Sequence, residues 1–154
     1  YKLRAPDRLR TKKVILPLIK DDCDLVFGQF KTHFPFLIKR IYFVTNATPG
    51  LPRAYHAHKT LRQILFCIHG SVKLVMDNRH HRKDVILDKP NEGIILDRMV
   101  WYELHDFKKD TVLLVLCSDV FKEDDYIRSY SQYREFTKRE GVIGNALDKA
   151  KKII

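Results

Sequence analysis

The segment Gly50-Leu51-Pro52-Arg53-Ala54-Tyr55-His56-Ala57-His58-Lys59-Thr60-Leu61-Arg62-Gln63, running on to Gly70, decides how this chain is read. His56 and His58 are two residues apart. Side chains alternate along an extended strand, so both imidazoles face one side of it. Inside a barrel they would share a cavity. Imidazole titrates near neutrality and can both accept and return a proton. A same-face pair beside Arg53, Tyr55 and Lys59 is therefore read as an acid/base pair rather than as polar residues satisfied at a barrel mouth. The flanking glycines suit tight turns that let strands approach.

Outward from this segment the chain is a succession of short strands. Val14–Leu16, Leu25–Phe30, Leu37–Val44, Gln63–His69, Val72–Met76, Asp84–Leu87, Gly93–Leu96 and Thr111–Cys117 are rich in Val, Ile, Leu, Phe and Tyr. Turn residues separate them, as in Thr48-Pro49-Gly50-Leu51-Pro52, His69-Gly70-Ser71 and Pro90-Asn91-Glu92-Gly93. Strands so spaced, with no helices between, predict an all-β antiparallel sandwich or barrel. After Asp119 the period changes. Tyr126, Ile127, Tyr130, Tyr133 and Phe136 are spaced for a helix, with Asp124 and Asp125 in its first turn. The expected organisation is one domain over 1–154, a barrel about 14–118 and a helical tail about 122–154.

A chain of 154 residues buries a sizeable core without staples. It has 45% hydrophobic and 31% charged residues, which excludes a disordered chain. No apolar run is long enough to span a membrane. Three cysteines, Cys23, Cys67 and Cys117, with no CxxC spacing, point to reduced thiols in a cytoplasmic protein. The chain opens at Tyr1 with no signal-peptide pattern, as expected of a trimmed chain or part of a longer polypeptide. The formal charge is +10. Residues 1–20 hold seven basic residues against one acid, and 134–154 hold six against three. The stretch between is nearly neutral, with sixteen basic residues against fifteen acidic. The excess therefore sits at the ends and does not mark the barrel as a polyanion binder. No helix-turn-helix, zinc-finger, RRM or KH pattern supports a nucleic-acid partner.

The spacing Gly50-x5-His56-x-His58-x4-Gln63-x6-Gly70 resembles the first cupin motif at every position but one, where Gln63 replaces Glu. The resemblance implies a cupin-type antiparallel jelly-roll barrel with a site inside. In metal-binding cupins the two His, the Glu and a later His hold a divalent ion. A neutral amide oxygen is a poorer ligand for such a cation. The second cupin motif also fails, because His105 falls one place late and so on the opposite face of its strand. The expectation is no metal and no cofactor.

Arg53-Ala54-Tyr55-His56-Ala57-His58-Lys59 further resembles the R-[GA]-x-H-A-H-K signature of the nucleotide-sugar 3,4-ketoisomerases. Phe36-Leu37-Ile38-Lys39-Arg40-Ile41-Tyr42, Gln63-Ile64-Leu65, Trp101-Tyr102-Glu103-Leu104-His105-Asp106-Phe107 and Asp124-Asp125-Tyr126-Ile127-Arg128-Ser129-Tyr130 are similar to further runs of that family. The resemblance spans about 14–137. It implies an isomerase that moves the carbonyl of dTDP-4-keto-6-deoxyglucose from C4 to C3. The product would feed an aminotransferase on the way to 3-amino-3,6-dideoxy sugars of surface glycans such as O-antigen. It also implies a cytoplasmic homodimer with exchanged N-terminal strands.

On this reading His56 is the base, His58 its partner in proton handling, and Tyr42 a donor to the sugar oxygen or a barrel-wall aromatic. Arg53 is the first candidate for the pyrophosphate, since a guanidinium binds such groups bidentately. Arg40 and Arg98 are further candidates, and Lys59 and Gln63 border the pair. Trp101 would stack on the base or sugar, or fill the core. Three departures bear on the sugar pocket, one of them Gln29 at a Glu-like position. Asp22-Cys23-Asp24-Leu25 replaces an Arg-Gly-Ser/Asn-Leu run, and Tyr102 stands where the family carries His. The alternatives are a dTDP-sugar 3,5-epimerase and a non-catalytic sugar-nucleotide-binding cupin.

Overall fold

Alternation of apolar and polar residues along short strands leaves each strand one face to bury, and two sheets facing each other bury it for all of them. The computed structural model, which describes residues 4–138, takes this form. One five-stranded antiparallel sheet has the order β1 (Lys12–Ile15), β9 (Glu92–Leu96), β6 (Gln63–His69), β11 (Val112–Cys117), β4 (Arg40–Val44). The second has the order β12 (Tyr126–Ile127), β5 (Arg53–His58), β10 (Trp101–His105), β7 (Val72–Asp77), β8 (Arg82–Leu87). A separate hairpin pairs β2 (Leu18–Lys20) with β3 (Asp24–Val26). This is the expected jelly roll.

The core between the sheets follows the two-residue period. Leu65 and Cys67 of β6, Leu113, Val115 and Cys117 of β11, Leu74 and Met76 of β7, and Tyr102 and Leu104 of β10 form one buried cluster. Residues of opposite parity face outward. Ile64, Phe66 and Leu116 join Val14 in a second cluster behind the first sheet. Ala57, Met99, Trp101, Ile127 and Tyr133 form a third behind the second sheet, under a helix that begins at residue 130. At Gly70, with φ +80°, an added Cβ would collide with Thr111 of the facing loop, so only glycine makes this turn.

Some element bounds differ from expectation. Residues 27–30 and 37–39 are irregular rather than strand. The tail is not helical from 122. Glu123–Asp125 form a single 3-10 turn and Tyr126–Ile127 pair with His58 and Ala57 as β12, because β5 is otherwise an unpaired edge. The rest of the expected tail, 139–154, lies outside the described residues.

Candidate active site

β5 supplies the imidazoles, and it is not a regular strand. Its pairing with β10 slips between Tyr102 and Glu103: Tyr102 lies opposite His56, Glu103 opposite Ala54, and Leu104 opposite Arg53. Ala54 (φ 75°) and Tyr55 (φ 54°) take left-handed conformations that non-glycine residues seldom adopt. This is a β-bulge, and it resets the alternation. Without it Arg53, three residues before His56, would lie on the other face. With it, Arg53 is in register with the inward-facing Leu104 and sits exposed at the rim. The bulge also brings the Ala54 carbonyl to 3.1 Å from His56 Nδ1, where it accepts the ring N–H. His56 Nε2 is thereby left as an acceptor, and the Tyr102 hydroxyl donates to it at 2.9 Å.

The rest of the inward face comes from four other strands. Gln63 on β6 is almost fully buried, and its Oε1 accepts from the Tyr42 hydroxyl at 3.2 Å, with the Tyr102 hydroxyl at 3.5 Å. Tyr42 and Arg40 share one face of β4, and the Arg40 guanidinium stands 5.6 Å from the ring centroids of both Tyr42 and Phe121. Tyr126 of β12 covers the pair, its ring 5.0 Å from His56 and 4.4 Å from His58. The two imidazoles are 5.0 Å apart, edge to face. His58 is 3% exposed. Its Nδ1–H donates to Asp125 at 3.0 Å, and its buried Nε2 has no hydrogen-bond partner among the described residues.

Burial sets the protonation states here. It holds His56 below its ordinary value, with the Ala54 carbonyl pulling the other way and the Arg128 charge adding to the drop. Burial pushes His58 down to about 4, helped by His56 and outweighing the pull of Asp125. Both rings are thus neutral bases at neutral pH. Burial also raises the phenols of Tyr42 and Tyr102, so they are donors and not phenolates. Asp125 stays a carboxylate. Burial opposes this, but the hydroxyl and amide of Thr60 and the ring of His58 hold it below its ordinary value.

The expected residues divide into three groups. His56, His58, Tyr42, Gln63, Tyr102 and Arg40 converge on one inward face. Arg53 lies at its rim, and neither Lys59 nor Arg98 is placed on that face. Lys59 is turned to the C-terminal segment, where its ammonium donates to the Asp124 carbonyl at 2.9 Å. Arg98 is exposed in the turn before Met99, whose N–H donates to the His58 carbonyl at 2.7 Å. Trp101 is a correction: it does not stack in the pocket. One residue before Tyr102 on a regular strand, it faces the other way, packs against Tyr130 and Tyr133, and donates its indole N–H to Glu103 at 2.9 Å. Asp125 and Tyr126 touch the imidazole pair at positions that sequence reasoning missed, having assigned them to a helix. Their place in the D-Y-I-R run was the available signal.

The donor set does not fit a cupin metal. The Gln63 oxygen accepts from a phenol, His56 Nε2 accepts from another, and His58 Nδ1 is spent on Asp125. No group of three His, Cys, Asp or Glu suited to a metal occurs among the described residues.

A jelly roll closed around an imidazole pair defines a cupin-type protein, and comparison with known proteins narrows the class. Residues 10–138 match the family described as FdtA: WxcM-like, C-terminal. A relative from Aneurinibacillus thermoaerophilus, a TDP-4-oxo-6-deoxy-alpha-D-glucose-3,4-oxoisomerase, is 39% identical over 112 residues, 73% of this chain and 81% of that protein. The crystal structure of QdtA, a sugar 3,4-ketoisomerase from Thermoanaerobacterium thermosaccharolyticum in complex with TDP, superposes with a TM-score of 0.81 at 36% identity, covering 84% of this chain and 95% of that one. The WlaRB TDP-quinovose 3,4-ketoisomerase from Campylobacter jejuni gives 0.76 at 32%, covering 83% and 97%. The chain belongs to this family of sugar 3,4-ketoisomerases and is an isomerase.

Proposed function

We propose that this protein converts dTDP-4-keto-6-deoxyglucose to a dTDP-3-keto-6-deoxyhexose, without metal or organic cofactor, by proton transfer through an enediol. The observation that carries this reading is the pair of neutral, buried imidazoles 5.0 Å apart on one inward face. The proton on C3, beside the C4 ketone, is acidic enough for an imidazole base if the developing oxyanion is stabilised. His56 takes that proton, and the C–H electron pair becomes the C3–C4 double bond while C4–O gains the charge. Tyr42, held protonated, donates a hydrogen bond to the sugar oxygen. His58 carries the hydroxyl proton from O3 to O4. The C3 carbonyl then forms, and the double-bond pair takes the proton back from His56 at C4. No atom or electron is gained or lost.

For His56 to act, the Tyr102 hydroxyl hydrogen must leave Nε2, and Gln63 Oε1 at 3.5 Å offers it a second acceptor. Arg53 at the rim, with Arg40 on the inward face, binds the pyrophosphate. The product supplies an aminotransferase step toward 3-amino-3,6-dideoxy sugars, in the cytoplasm. No helix among the described residues is long and apolar enough to cross a membrane.

The working unit is a homodimer. The outer face of the first sheet carries exposed Ile41, Phe43 and Ile68, and beside it Phe27 and Phe30 border an apolar groove of about 690 Å³. An exposed apolar face of this kind marks an interface. A monomer by light scattering at micromolar concentration would sink the dimer.

The decisive experiment is incubation with dTDP-4-keto-6-deoxyglucose in deuterated buffer, followed by NMR. The expected product has its ketone at C3, with deuterium at C4 to the extent that the proton held on His56 exchanges with solvent before it is returned. Inversion at C5 with the ketone still at C4 would instead mean a 3,5-epimerase. His56→Asn should abolish turnover with the fold intact; turnover within a few-fold of wild type would refute the base assignment, whereas full in vivo function of a variant that turns nothing over would favour a binding cupin.

A further inference from the structure

His58 differs from His56 in what holds it. The Asp125 carboxylate, 67 residues away in sequence, accepts four donors: His58 Nδ1 at 3.0 Å and the Leu61 amide at 3.3 Å on one oxygen, the Thr60 amide at 2.8 Å and the Thr60 hydroxyl at 2.6 Å on the other. Its own carbonyl accepts from the Lys59 amide at 2.9 Å. The 3-10 turn is thereby locked onto the end of β5, and the carboxylate has little freedom to move. A carboxylate can only accept, so Nδ1 of His58 must carry the ring proton. The lone pair of the neutral ring is then on Nε2, the atom that is fully buried and has no partner among the described residues. It lies in the imidazole bordered by the rings of His56 and Tyr126. Leaving a buried acceptor unmet costs stability, and such costs are retained where the atom is used.

We infer that Asp125 is a positioning residue for the isomerisation: it fixes His58 as the Nδ1–H tautomer, so that Nε2 presents its lone pair beside His56 to take the O3 proton and return it to O4. This rests on the reading of His56 and His58 as the proton-transfer pair. It divides their work: His56 moves the proton bound to carbon, and His58 moves the proton bound to oxygen.

Asp125→Asn tests it. The oxygen facing Thr60 accepts a backbone N–H at 2.8 Å and a hydroxyl at 2.6 Å, against one backbone N–H, that of Leu61, at 3.3 Å on the other, so the asparagine carbonyl takes the Thr60 side and the longer Leu61 bond is lost. Its NH2 then faces His58 Nδ1 and donates to it, driving the ring proton to Nε2 and removing the lone pair. A wrong tautomer at the comparable Asp–His pair of serine proteases costs about 10⁴ in kcat. Here His56 still acts, and the expected loss is about 10²–10³ in kcat with KM within about threefold.

Long-range 1H–15N spectra of 15N-histidine-labelled protein read the tautomer directly. His58 should be Nδ1–H in wild type and Nε2–H in D125N. Wild type with Nε2–H overturns the inference whether or not the variant folds. So does D125N that keeps Nδ1–H, or one with a reversed tautomer and kcat within threefold of wild type. Thr60→Val separates positioning from simple bracing of the turn, because it removes a bond to the same carboxylate without touching His58. It should lower Tm and keep Nδ1–H, and a kcat loss as large as that of D125N would assign the effect to the turn. If wild type leaves dTDP-4-keto-6-deoxyglucose unchanged, the substrate reading fails, while the tautomer spectra still decide the role of Asp125.

Discussion

The Tyr102 hydroxyl lies 2.9 Å from His56 Nε2, and Tyr102 is 2% exposed. A buried phenol thus donates to the one lone pair that His56 can use as a base. The same hydroxyl is 3.5 Å from Gln63 Oε1, so its single hydrogen has two acceptors to choose between. The ring edge packs on the imidazole, with centroids 4.7 Å apart.

Tyr102→Phe should therefore change the pH dependence of the rate. A hydrogen bond donated to Nε2 favours the neutral ring, and removing it lets His56 protonate at higher pH. The acid limb of the kcat profile should move upward by about one pH unit, the equivalent of one hydrogen bond of ~1.4 kcal/mol. Pre-steady-state and steady-state pH profiles check this. An acid limb that moves downward would contradict the donor assignment.

Stability should fall on mild acidification. His58 is held near 4 in the folded state, against an ordinary value of 6.5. The unfolded chain therefore binds a proton first as pH drops. His58 contributes full stability above 6.5, which is lost between 6.5 and about 4. A gap of that size is worth about 3 kcal/mol. Thermal unfolding of wild type between pH 7.5 and 4.5 should show a steeper fall in Tm than His58→Gln. Parallel curves would show that another group governs the acid transition.

Chelation should leave the enzyme working. The oxygen of Gln63 and the ring nitrogens His56 Nε2 and His58 Nδ1 are committed to protein partners. Dialysis against EDTA should keep kcat within about twofold. A loss reversed by one added divalent metal would overturn the metal-free mechanism.

Trp101, the single tryptophan, gives a fluorescence test of the face it occupies. It is 3% exposed and packed under the helix. Its emission should be blue-shifted and unquenched by saturating dTDP. Trp101→Phe should cost about 1–3 kcal/mol of stability through lost packing and the lost donor to Glu103, with KM unchanged. Strong quenching by the nucleotide would put the indole in the pocket after all.

The sequence by itself determined β6 to β9 and β11 closely, because their period-two alternation is local and each residue's face follows from its neighbours. It also determined the imidazole pair, whose i, i+2 spacing holds through the regular part of β5, and the poor fit to a metal at Gln63. Tertiary structure alone decided what those imidazoles meet. Tyr102 is 46 residues from His56 and Asp125 is 67 from His58, so their contacts depend on which strands pair and in what register. The bulge at Ala54–Tyr55 is set by pairing with β10 and moves Arg53 into register with the inward Leu104, which simple alternation misplaces. Likewise Tyr126–Ile127 reads as helix from its own spacing and becomes strand because the edge of β5 supplies hydrogen-bond partners. Local periodicity fixes a face. Long-range pairing fixes who shares it.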